Sequence, residues 1–158
     1  MRKKFAVAVA AIGCAGALAA PTMAAAPDGA ADFASGGGQV ANGTVFSFGA
    51  YGQPGAATGN GYFTFGSKGA RNATVDCLYV DGNSATLSGR LSSPVSGNTR
   101  FELSIRDGGP NSADDHVYMV LNKLAAPLAK CGFAKFKLGP AFTQGGITIQ
   151  DNSASQAS

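Results

Sequence analysis

Residues 99–121, TRFELSIRDGGPNSADDHVYMVL, decide the fold class. Phe101, Leu103 and Ile105 alternate with Arg100, Glu102, Ser104 and Arg106, and later Val117, Met119 and Leu121 alternate with His116, Tyr118 and Val120. A period of two belongs to strands with one face buried. Asp107 to Asp115, DGGPNSADD, separates the two runs and is rich in turn residues. The stretch predicts a hairpin with a long loop. Three carboxylates and an asparagine make that loop either a self-bonded turn or an ion site.

The same signal extends outward in both directions. Upstream, Ser35 to Val40 reads as a glycine-rich first strand. Thr44 to Tyr51 places Phe46, Phe48 and Ala50 on one face, and Tyr62 to Phe65 is a second aromatic strand. Ala73, Val75, Cys77 and Tyr79 are expected to share a face. Asp81-Gly82-Asn83 is a compact hairpin turn. Ala85, Leu87, Gly89 and Leu91 then face one way before a turn over residues 92–98. Downstream, Pro127 interrupts LNKLAAPLAK, residues 121–130, and predicts a single turn or an irregular crossover. Lys135 and Lys137 flank Phe136 in the manner of a rim strand, and Gly145 to Gln150 closes the series. Seven or eight short strands with no long amphipathic helix predict an all-β antiparallel meander. It would close as a small β-barrel with the last strand near the first, or open as a two-sheet β-sandwich.

Residues 1–26 form an expected secretory signal peptide: Arg2, Lys3 and Lys4 precede an apolar run, and small residues follow at Thr22 to Ala26. A flexible lead over 27–34, one β domain over 35–151 and a disordered tail over 152–158 complete the expected organisation. No later stretch approaches the roughly 18 apolar residues of a transmembrane span, so the mature chain should be soluble. Three of the twelve basic residues leave with the signal while all nine acidic residues stay, which brings the formal charge from +3 to near zero. That balance gives no support for nucleic acid or an anionic membrane as partner. Removing the signal also removes Cys14 and leaves Cys77 and Cys131, which an exported chain would join as a disulfide. In a second reading Ala11-Ile12-Gly13-Cys14 is a lipobox and Cys14 carries a lipid anchor.

Asp107, Asn111, Asp114 and Asp115 offer oxygen ligands for calcium, although their spacing is not that of an EF-hand loop. The plainer reading has Asp107 bonding its own turn amides and Asp114 or Asp115 solvating the loop or capping the next strand. His116 is the only histidine. Neither a Gly-x-Ser-x-Gly elbow nor a His-Glu-x-x-His pair accompanies it, so no catalytic residue is assigned. Glu102 is the sole glutamate, and nothing in the sequence makes it a raised-pKa acid of a glycosidase pair. Phe46, Phe48, Phe63, Phe65, Tyr62 and Tyr79 would fill a core or line a pocket for a small apolar ligand. The absence of tryptophan argues against a sugar-stacking platform. Lys123, Lys130, Lys135 and Lys137 lack the interleaved aromatics of a nucleic-acid surface.

Several of these pieces occur in a characteristic order. They are Gly36-Gly37-Gly38, Phe46-Ser47-Phe48-Gly49, the hairpin from Val80 to Gly89, Phe101 to Pro110 with Asp115, and Gly145-Gly146-Ile147-Thr148-Ile149. In that order the chain resembles the post-COAP domain family of secreted bacterial proteins, over nearly the whole mature length. It departs at Gly109, where the family usually has an acidic residue, and at Gly146, where it usually has asparagine. The resemblance implies a secreted β domain and carries no established chemistry. The resulting expectation is a non-enzymatic binding or structural module of the extracellular space or cell envelope. A lipocalin-like carrier and a hydrolase using the loop from Asp107 to His116 are the alternatives. Ligand, partner and oligomeric state are not specified by these residues.

Overall fold

In the computed structural model of the chain, residues 31–54, 56, 58–67, 70–110, 114–123, 131 and 136–152 are described. They form eight strands: β1 (Asp32–Val40), β2 (Val45–Gly52), β3 (Gly59–Gly66), β4 (Arg71–Asp81), β5 (Ser84–Val95), β6 (Asn98–Arg106), β7 (His116–Asn122) and β8 (Phe142–Gln150). All belong to one sheet in the order β7, β6, β5, β4, β3, β2, β1, β8, with every neighbouring pair antiparallel. The sheet curls into a half-barrel, as the meander pattern predicts. The last strand lies beside the first, with Gly36 opposite Ile147.

Alternation determines which side chains fill the curl. Phe46, Phe48 and Ala50 from β2 point inward with Phe63 and Phe65 from β3, Leu87 from β5, and Phe101, Leu103 and Ile105 from β6, all buried. Phe63 is the hub. Its ring centroid lies 4.6 Å from Phe101, 5.2 Å from Phe65 and 6.3 Å from Phe46. Phe142 extends the group through Phe46 at 6.3 Å. Such offset and tilted pairs are favourable ring geometries. They fill the interior with side chains, as the width of an eight-stranded curl permits. Glycine lets strands approach where a side chain would collide. A Cβ on Gly89 would sit 1.9 Å from the carbonyl oxygen of Thr74, and one on Gly61 would sit 2.1 Å from that of Gly49.

Several expectations need correction. Ala73, Val75, Cys77 and Tyr79 do not share a face, because the register of β4 against β5 shifts between Val75 and Cys77. A β-bulge of this kind sends later side chains to the opposite face. Val75, Leu78 and Val80 therefore enter the core, while Cys77 and Tyr79 turn to the outside of the sheet. Tyr62 also points outward, opposite Gly49, so of the six candidate pocket rings only the four phenylalanines are interior. β1 begins at Asp32, inside the expected flexible lead, because Asp32 Oδ1 accepts the Asn152 N–H at 2.9 Å and Ala34 is fully buried. β5 continues to Val95 instead of turning at Ser92, and Ser96 and Gly97 make the turn with positive φ. Residues 136–140 form no rim strand. Residues 124–130, 132–135 and 153–158, which include most of the expected crossover and tail, lie outside the described residues.

At one end of the curl the two edge strands meet. Ala141 bridges His116, the Val117 N–H donates to the Pro140 carbonyl at 3.1 Å, and the Phe142 N–H donates to the Asp115 carbonyl at 2.9 Å. The chain thus enters β8 alongside the start of β7.

Candidate functional site

Each chemically loaded part of the fold has a definite geometry, beginning with the loop between β6 and β7. Asp107 continues β6 and is anchored to the β4–β5 turn: its N–H donates to the Asn83 carbonyl at 2.9 Å, and its carbonyl accepts from Asn83 Nδ2 at 3.0 Å. Asp107 Oδ1 accepts the Gly109 N–H at 2.7 Å, an Asx-turn bond, and Oδ2 accepts the Ile149 N–H at 3.3 Å. Asp115 is 1% exposed; its Oδ1 accepts the Gly108 N–H at 2.8 Å and its Oδ2 the Ile147 N–H at 2.7 Å. Gly108 fits only as glycine, since a Cβ there would lie 2.3 Å from Asp114.

Both carboxylates therefore bond the same short turn on one side and the free edge of β8 on the other. Ile147 and Ile149 are two residues apart, so their N–H groups point away from β1 on one edge, and the carboxylates stand where another strand would supply carbonyls. Asp151 adds a parallel contact by accepting the Gly82 N–H at 2.8 Å. Of the four residues expected to hold calcium, the structure thus brings Asp107 and Asp115 together, leaves Asp114 exposed, and does not describe Asn111. Among the described residues, no group of three or more His, Cys, Asp and Glu side chains gathers in metal-binding geometry. His116 Nδ1 lies 2.8 Å from the Gly139 carbonyl, to which it must donate. Asp115 faces the seam instead of the imidazole.

A second polar group lies on the outer face of β4 to β7. Arg100 is 3% exposed, and its Nη2 donates to both oxygens of Asp76, the bulge residue, at 2.8 and 3.0 Å. Arg90 Nε approaches the same carboxylate at 3.8 Å. Glu102 Oε1 accepts from Asn122 Nδ2 at 2.7 Å. Burial pushes the Glu102 carboxyl above its ordinary value of 4.5, while Lys137, Arg100 and the Asn122 hydrogen bond pull it down less strongly. Two buried atoms beside these, Arg100 Nη1 and Ser88 Oγ, have no hydrogen-bond partner among the described residues.

Cover over this face comes from the chain after β7. Cys131, fully buried, is joined to Cys77 with 5.3 Å between their Cα atoms, and Lys137 Nζ sits 5.5 Å above the Tyr118 ring. Arg100, Glu102 and Ser104 look like the solvated side of a half-buried strand in the sequence. They are buried because distant residues are pinned over them.

The opposite part of the outer surface is different. Strands β8, β1, β2 and β3 contain one charged residue, Asp32, which is 3% exposed. Their outward positions carry amides, hydroxyls, glycines, rings and Val45, and Phe33 stands opposite Tyr51 across β1 and β2. In the sequence Tyr62 reads as a core or pocket ring because it lies in the same run as the core phenylalanines. Its even-numbered phase against Phe63 and Phe65 is the signal that separates them.

No protein-family model, characterised protein or solved structure matches the chain. Among the described residues, no helix is long and apolar enough to cross a membrane.

Proposed function

We propose that the chain is an exported, non-enzymatic binding or structural module of the extracellular space or cell envelope. One observation carries the reading. The stretch richest in chemical groups, Asp107 to His116, directs the carboxylates of Asp107 and Asp115 to four backbone amides that join the β6–β7 loop to β8. Carboxylates engaged in this way hold the fold, and a hydrolase would have to break those bonds to use them. Asp115 does not orient His116, so the dyad that the sequence places side by side is not assembled. The phenylalanine-filled interior counts against a carrier, which needs room for its ligand. The basic, apolar leader and the Cys77–Cys131 bond support export, and the resemblance to the post-COAP domain family points the same way.

Native mass spectrometry of the protein secreted by its own host, before and after chelator treatment, tests this reading. The expected species is a disulfide-closed chain without its leader and without bound organic mass. A chelator-removable mass would return the Asp107–Asp115 loop to the calcium reading, an organic ligand would favour the carrier, and a lipid on Cys14 would replace free secretion by anchoring.

A further inference from the structure

We infer that the outer face of β8, β1, β2 and β3 is a binding surface for an uncharged polysaccharide. The inference rests on the reading of the chain as a binding module and names the partner of that module. Register sets the composition of the face. Gln150 lies opposite Phe33, Phe33 opposite Tyr51, and Tyr51 opposite Asn60. These pairings make one row across four strands: amide, ring, ring, amide. Neighbouring strands are about 4.8 Å apart, so the row spans roughly 14 Å. Tyr62 and Thr148 occupy the next row, at either end of a line through β1 and β2. Tyr51 is 41% exposed, and Asn60, Thr148 and Gln150 are exposed as well.

Charge selects the partner. Soluble surfaces commonly carry about a quarter to a third charged residues, yet these four strands present none outward. Among the described residues, the other charged side chains lie on β4 to β7, in their turns or after them. An anionic or cationic polymer laid on this face would lose hydration and gain no counter-charge. A second copy of the chain would require an interface core richer in apolar residues than this face, where three rings stand among glycine, serine, threonine, asparagine and glutamine. A neutral polysaccharide matches this composition, offering ring C–H surfaces that stack on Phe33, Tyr51 and Tyr62 and hydroxyls that both donate to and accept from side-chain amides, of which that of Gln150 already donates to Asn152 Oδ1 at 3.2 Å. Tryptophan is absent, and the stacking surface would come from three smaller rings on separate strands, Tyr51 exposed and Phe33 and Tyr62 half-buried.

The test uses the mature, disulfide-closed protein in a sedimentation assay. The probes are cellulose, chitin, amylose, xylan and a β-1,3-glucan, with heparin as the charged comparison. Retention is expected on at least one neutral polymer and should survive added salt. Tyr51→Ala with Tyr62→Ala should weaken it by about tenfold or more, and the corresponding Phe pair should retain most of it, with thermal midpoints showing that each variant is folded. Absence of binding to every neutral polymer would overturn the inference, as would retention on heparin alone or equal retention of the Ala pair. Release of soluble sugar from a bound polymer would instead overturn the non-enzymatic reading while leaving the surface in place.

Discussion

Removing the Asp115 carboxylate should open the seam between the β6–β7 loop and β8. Its two oxygens accept the Gly108 and Ile147 N–H groups at 2.8 and 2.7 Å inside a side chain that is 1% exposed. In Asp115→Ala both amides lose their acceptor, and a buried amide left unpaired costs about 1–3 kcal/mol. The expected loss is therefore about 2–6 kcal/mol, a large share of the roughly 5–15 kcal/mol that stabilises an ordinary domain. With a urea slope of about 1–3 kcal/mol/M, the unfolding midpoint should fall by about 1 M or more with the slope unchanged. Asp115→Asn keeps one acceptor and turns a donor toward a donor, so it should lie between Asp115→Ala and the parent protein. Asp114→Ala is the internal comparison: Asp114 is the exposed neighbour, and its truncation should stay within about 0.5 kcal/mol. Circular dichroism of the disulfide-closed protein reads all three. A loss in Asp115→Ala as small as that in Asp114→Ala would refute the seam argument.

Two further perturbations address the covered outer face. Because burial raises the folded carboxyl of Glu102 above 4.5, the native state holds that proton more tightly than the unfolded chain. Its contribution to stability is then full below about pH 4.5 and is lost as pH rises through the folded value. Glu102→Gln keeps an acceptor for Asn122 and should flatten the pH dependence of urea unfolding over that window. As Glu102 is the only glutamate, selective carbon-13 labelling gives a single carboxyl resonance, and a midpoint at or below 4.5 would contradict the burial argument. Replacing both Cys77 and Cys131 by Ser frees a closure of 54 residues and should cost about 4 kcal/mol in the chain-entropy account. An unchanged unfolding midpoint would show that the tether does not constrain the chain.

What the sequence displayed was local periodicity, and it was sufficient wherever one face met the core. Phe46, Phe48 and Ala50, or Phe101, Leu103 and Ile105, declare their side by alternation alone, and their burial follows it. The bulge at Asp76 broke that logic. Cys77 and Leu78 are adjacent, and only the phase of Leu78 and Val80 against Val75 marks the shift. Burial of Arg100 and Glu102 had no local signal at all, because cover arrives from Cys131 and Lys137, some 30 positions later. The same distance hid the role of Asp115. Its proximity to His116 suggested chemistry, whereas its partner Ile147 lies 32 residues away.

The placement of charge ties these features together. A strand buried on both faces, as β6 is from Arg100 to Ile105, needs its outward polar groups paired. Asp76 and Asn122 supply the partners and the Cys77–Cys131 bond holds the cover in place. The end of the curl near β8 uses Asp107, Asp115 and Asp151 on backbone amides. Most of the ionic capacity of the described chain is thereby engaged in structure. Recognition requires groups whose hydrogen-bonding capacity is not already committed. On the uncharged half Gln150 and Thr143 already donate to Asn152 Oδ1 and the Gln39 carbonyl, and its other amides, hydroxyls and rings would meet the proposed partner by shape, stacking and neutral hydrogen bonds. Binding there should consequently be far less sensitive to ionic strength than the association of charged surfaces, which salt screens over about 10 Å at 0.1 M.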